Sequence, residues 1–149
     1  MAGGVGSGVV LDDQRVRPSE KIWRLIFSHW FIADPNIPNS PRMLQEQAFS
    51  GDVSIVRVLP HMTEQFVDSV YSGKFKGCGI LELNADDVRK AGLVFEYDHD
   101  PEWRQDTHFV LRRVGGTVQQ PQLQKKLNST QKAELVRLGC AQPLRREPP

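Results

Sequence analysis

Four short apolar runs, each bounded by a breaker, divide residues 53–114 and leave little choice of fold class. Val53-Ser-Ile-Val-Arg-Val-Leu59 is closed by Pro60, and Cys78-Gly-Ile-Leu-Glu-Leu83 by Asn84. Leu93–Tyr97 opens after Gly92, and His108–Val114 runs into Gly115-Gly116. Runs this short, rich in β-branched and aromatic residues, read as strands. Helix signals lie between and after them. Thr63 can cap a helix to Ser72, with Phe66, Val67, Val70 and Tyr71 on one face and Gly73 at its end. Asn84 caps a short second helix, with Leu83 and Val88 at the two staple positions and Gly92 as its stop. From Pro121 the chain reads as helical, in one piece or two, with Asn128 or Ser129 as a cap. Leu123, Leu127, Leu135 and Leu138 form its apolar face, and Gly139 its end.

This order predicts a single compact α+β domain over residues 19–140: a mixed or antiparallel sheet with two to three flanking helices. Residues 1–18, Gly-rich and then polar, and residues 141–149, rich in Pro and Arg, are expected to be flexible tails. Lys21 to Ile32 is densely apolar, and its period fits a buried strand or a buried helix equally well. Asp34 to Pro41, with three prolines and two asparagines, is a loop. Gly73-Lys-Phe-Lys-Gly77-Cys-Gly79 imitates a phosphate loop. It lacks the Gly-Lys-Ser/Thr ending and precedes a strand, so no helix N-terminus would face a phosphate.

A chain of 149 residues with 39% hydrophobic and 25% charged residues suits one soluble domain. A net charge of +1 gives no global attraction to nucleic acid or an anionic membrane. The charge is uneven, however: residues 98–108 carry −3 and residues 124–146 carry +5. The basic segment is a candidate RNA contact, although a solvated helix face is the plainer reading. Cys78 and Cys140 have no metal-site spacing and read as free thiols of a reducing compartment. The first residues have neither a basic leader nor a long apolar core, and the longest apolar run, Trp30 to Ala33, cannot span a bilayer. A cytoplasmic location, with no membrane association and no cofactor, is the expectation.

Tyr97 to Val110 concentrates the chemistry-bearing residues. Asp98, Asp100 and Asp106 lie with His99 and His108 between two strands, and such groups bind metals or move protons. His108 is the first candidate, as a general base or metal ligand oriented by Asp100. The alternative is a half-buried histidine hydrogen-bonded to loop backbone. Asp98, Asp100, Asp106 and His108 are the candidate metal ligands, for a metal of intermediate hardness. Side chains alternate along an extended chain, so only a subset could converge, and Asp-x-Asp-Pro is also ordinary turn chemistry. Arg24, among apolar neighbours, would be costly to bury unpaired and is read as anchoring a carboxylate such as Asp34, or an anionic ligand. Arg42 is a second candidate arginine.

Several of these residues carry a resemblance. Trp23-Arg24-x-Ile26, Trp30, Asp34-x-Asn36, Ala48-Phe49, Ser54-Ile55 and Gly77-x-Gly79, with Asp100-Pro101 eight residues before His108-Phe109-Val110, resemble a scattered family of small uncharacterised bacterial proteins. The resemblance spans about residues 20–112. Where the family has Arg-Pro-Ser-Ser before Ala-Phe, this chain has Ser40-Pro41-Arg42-Met43, with Arg42 one residue further from Phe49. The arrangement of an arginine on an early strand before a Ser-bearing strand is also similar to ADP-ribosyltransferase-like enzymes, for which Glu82 or Glu96 would supply the late acid.

The leading expectation is an accessory or protein-interaction domain with no complete catalytic constellation, bound to a protein partner. The scattered distribution of the resemblance points to a bacterial defence system. The alternatives are a small hydrolase, nuclease or ADP-ribosyl transferase using His108, Asp100 and Arg24 or Arg42, and an RNA-binding module using residues 124–146. An enzyme requires those side chains to meet in one cleft. An interaction domain requires an exposed apolar patch.

Overall fold

Period-two alternation along five strands decides which side of the sheet each residue serves. The computed structural model describes residues 11–33, 36–39, 43–60, 62–70, 77–98, 108–114 and 126–148, except for the side chains of Ser69 and Val70. The elements are β1 (Lys21–Ile26), β2 (Phe31–Ile32), β3 (Met43–Leu44), β4 (Val53–Arg57), α1 (Glu64–Val70), β5 (Gly79–Asn84), α2 (Ala85–Lys90), β6 (Leu93–Tyr97), β7 (His108–Arg113) and α3 (Ser129–Cys140). Short 3-10 turns occupy Ser28–Trp30 and Glu46–Phe49. The main sheet runs β5-β1-β4-β7-β6, and β2 and β3 form a separate two-stranded ribbon. Every strand pair is antiparallel. The α+β class expected from the sequence is therefore correct, and the sheet is the antiparallel one of its two alternatives.

In the register, Trp23 lies opposite both Val56 and Glu82, and Val56 lies opposite His108. One face carries Ile22, Ile26, Ile55, Leu81, Phe95 and Phe109 into a core closed by Phe49 and by Leu135 of α3. The other carries Trp23, Leu25, Val56 and Ile80 against Val67 of α1 and against Met62, which precedes that helix. Burying each such side chain contributes roughly 1.5–3 kcal/mol, so the two apolar faces supply most of the driving force. The ambiguous stretch from Lys21 to Ile32 resolves into two strands separated by a 3-10 turn, which explains why neither period fitted it throughout.

Local signals place the helices. Thr63 Oγ1 accepts from Phe66 N at 3.1 Å at the start of α1. α3 opens with a reciprocal capping box: Gln131 N donates to Asn128 Oδ1 (2.8 Å) and Asn128 N to Gln131 Oε1 (3.1 Å). Asn84 stands at the N-cap position of α2, but its side chain bonds Asp87 and Lys21 and caps no backbone N–H. Leu83 and Val88, the staple pair, are both buried. Gly92, at φ +87°, ends α2 as expected. Gly139 does not end α3. It is buried within the last turn, where an added Cβ would lie 2.8 Å from Leu81 Cδ1, so it permits close approach of helix to sheet. Gly73, Pro121 and Leu123 lie outside the described residues.

Within the expected tails, residues 11–18 and 141–148, the parts the structure describes, are docked on the domain. Val16 is wholly buried in the core. Asp13 N donates to Phe95 O, and Phe95 N donates to Asp12 Oδ1, along the free edge of β6. At the opposite edge, Ile80 of β5 forms an antiparallel bridge with Arg146. The ordered domain therefore includes residues 11–18 and 141–148, and both sheet edges are covered by the chain's own ends. Covering edges removes rows of unpaired backbone groups that would otherwise recruit other chains.

Candidate functional site

The strand register separates the residues that an enzyme would need together. Arg24 shares the face of Ile22 and Ile26, and it is 7% exposed. Its Nε and Nη2 donate to Ala48 O (3.2 and 2.8 Å) and its Nη1 to Ser54 O (3.0 Å). The Trp30 ring lies 5.0 Å from its guanidinium carbon. No carboxylate among the described residues reaches it, and burial pushes its pKa down to about 10. The carboxylate anchor expected for Arg24 is thus replaced by backbone carbonyls. These fix the Glu46–Phe49 turn to β4.

His108 points to the other face, as its place opposite Val56 requires. Its Nδ1 donates to Asp98 O at 2.7 Å and lies 3.7 Å from Asp98 Oδ2. A carbonyl oxygen only accepts, so Nδ1 is the donor in this contact. This is the half-buried histidine tied to loop backbone that the sequence offered as an alternative. Arg24 and His108 stand on opposite faces and cannot act on one substrate atom. Asp100, Asp106, Arg42, His99 and Asp34 lie outside the described residues. Among the described residues no three His, Cys, Asp or Glu side chains gather as metal ligands.

The acids proposed for ribose binding also diverge. Glu82 accepts from Trp23 Nε1 at 2.9 Å on β5, whereas Glu96 is 3.1 Å from Arg112 Nε on β6, at the other side of the sheet. Both project from the face opposite to Arg24. Three of the six bases of the C-terminal segment are paired with acids within the fold. Arg137 pairs with Glu134, Arg145 with Glu64 and Glu82, and Arg146 with Asp68.

Two surface features emerge that local pattern did not reveal. The first is a shallow polar cleft of about 240 Å³ lined by Glu64, Glu82, Gln142, Pro143 and Arg145. Arg145 sits in it over the buried Trp23 ring, 5.2 Å from guanidinium carbon to centroid. A hydrogen bond from its own backbone N–H, aided by Arg145, holds the Glu64 carboxyl below its ordinary value. The second is the outer side of the β2–β3 ribbon. Phe31 and Leu44 are paired and face inward, while the next pair, Ile32 and Met43, is 56% and 63% exposed. Ile37, in the connection between the strands, is 56% exposed. Alternating apolar residues on both sides of a ribbon were hidden in the sequence by its two-residue strands, too short to display a period.

No helix among the described residues is long and apolar enough to cross a membrane. Comparison with family models, with curated proteins and with solved structures finds no match to this chain.

Proposed function

We propose that this chain is a protein-interaction domain that docks a partner on the outer side of the β2–β3 ribbon. The observation that carries the reading is the cross-strand pair Ile32 and Met43, both more than half exposed, with Ile37 exposed beside them in sequence. Single exposed apolar residues are ordinary, but neighbours on one small element form a patch of the kind used for binding. A two-stranded ribbon is marginal alone. This one is held by Leu44 in the core and by Gln45 N donating to Trp30 O at 2.9 Å, so its outer side is presented on a fixed base. Covering the exposed parts of Ile32 and Met43 would contribute on the order of 2–3 kcal/mol before the costs of association. The separation of Arg24 from His108 takes away one of the two arginines that a small enzyme would use with His108, and the internal pairing of Arg145 and Arg146 takes two of the basic side chains from an RNA surface.

The test compares capture from host extract by wild type, Ile32→Lys/Met43→Lys and His108→Ala. A stoichiometric protein partner retained by His108→Ala and lost by the ribbon variant is the expected result. A partner indifferent to the ribbon variant, or a bound metal or nucleotide lost with His108→Ala, would overturn the reading.

A further inference from the structure

The contact between residues 144–148 and the rest of the domain has the anatomy of peptide recognition. Along the outer edge of β5, Ile80 N donates to Arg146 O at 2.8 Å and Arg145 N donates to Ile80 O at 3.0 Å. The two arginines then reach different acids. Arg146 makes a fork on Asp68, Nη1 to Oδ2 and Nη2 to Oδ1, both 2.9 Å, with Nε donating to Cys78 O at 2.7 Å. Arg145 Nε donates to Glu64 Oε1 at 3.0 Å, and its Nη1 lies 3.6 Å from Glu82 Oε2. Pro148 is buried over Gly79, where an added Cβ would lie 2.9 Å from Pro148 Cδ. A strand edge thus reads the main chain while separate acids read two successive side chains. Strand addition uses the same division of labour, with backbone bonds for affinity and side-chain pockets for specificity.

We propose that the β5 edge, with Glu64, Asp68 and Glu82, is a groove for an extended Arg-Arg segment of another protein chain, and that residues 144–148 are its built-in competitor. The groove is separate from the β2–β3 ribbon and independent of the function proposed for it. The seated segment defines the ligand chemistry: two successive arginines, one intervening residue, then a small or proline residue over Gly79. Its hold is suited to exchange. The bridge to β5 is a single residue pair, and the Arg145–Glu64 pair is partly exposed, so water competes for it. Ala141, Gln142 and Pro143, which connect the segment to α3, are all exposed, and the cleft beside Arg145 is open to solvent. An intramolecular occupant scales the affinity for an outside peptide down to the fraction of time that the groove stands empty.

The experiment uses the full 149-residue chain carrying Arg145→Ala/Arg146→Ala and a labelled peptide, Gln-Pro-Leu-Arg-Arg-Glu-Pro-Pro, copied from residues 142–149. Fluorescence anisotropy is expected to show saturable binding at least about tenfold tighter than to wild type. Adding Glu64→Gln/Asp68→Asn, or replacing both peptide arginines by alanine, is expected to abolish it. A folded Arg145→Ala/Arg146→Ala chain that ignores the peptide, or binds the alanine peptide equally, overturns the proposal. If that variant does not fold, hydrogen exchange on wild type decides: the Ile80 amide, bonded to Arg146 O, must exchange well before those of the central strand β4. Equal protection would mean that the segment never leaves, and the groove would be rejected.

Discussion

Arg24 is a cation in the core whose partners are all dipoles. The sequence showed that an arginine among Ile22, Trp23, Leu25 and Ile26 would be buried, because no face of that stretch is polar. It could not show the partners, since Ala48 is delivered by a 3-10 turn from beyond the ribbon. The guanidinium fork bonds both Ala48 O and Ser54 O, and a lysine ammonium cannot span them in that geometry. Arg24→Lys and Arg24→Met are each expected to lose about 2 kcal/mol, chiefly from carbonyls left without donors. Urea unfolding measures this, and a loss below about 0.5 kcal/mol would mean that water satisfies both carbonyls. The two thiols divide just as clearly. Burial pushes the Cys78 thiol up, despite the nearby Arg146, while Cys140 is exposed at the end of α3. An alkylating reagent at neutral pH should modify Cys140 in the native protein and reach Cys78 only after denaturant is added, as read by mass spectrometry of the fragments.

The strands and helices between residues 53 and 98 were readable because each carries its own boundary residue, such as Pro60, Thr63 or Gly92. The terminal segments were not. Each contributes one buried apolar residue, Val16 or Pro148, and otherwise docks through ion pairs with distant partners, a signal that composition averages away. Arg24 and His108 stand apart for a related reason. Placing Arg24 and His108 on opposite faces follows from the chain Trp23–Val56–His108 across three strands, and register of that kind is fixed by long-range pairing. The docked ends make their own predictions. Gly79→Ala would press its methyl group against Ile26 and Pro148, and a loss of roughly 1–3 kcal/mol in thermal or urea unfolding is expected. At the β6 edge, Arg15 holds the Asp13 carboxyl below its ordinary value of 3.8, chiefly by a side-chain hydrogen bond. A depressed carboxylate stabilises fully above its unfolded pKa, and this contribution disappears as pH falls through the folded value. Stability measured from about pH 5 downward should therefore fall less steeply in Asp13→Asn, by up to about 1 kcal/mol at the acid end.

At the scale of the whole molecule, the β2–β3 ribbon and the β5 edge lie on different elements, so the chain offers two independent surfaces on one scaffold. The scaffold itself has a cost in time. Its interior strand β1 takes one neighbour from β4 and the other from β5, where Glu82 lies 59 residues beyond Trp23. β4 in turn waits for β7, near the other end of the sheet in sequence. Pairings of such long range make folding slow, in the millisecond-to-second range typical of antiparallel sheets, and stopped-flow tryptophan fluorescence would register it. During synthesis the ribosome releases β1 and β4 well before the strands that flank them. For that interval the nascent chain carries the pair that will become the centre of the sheet with both its sides open, and this is when a chaperone would matter most to it.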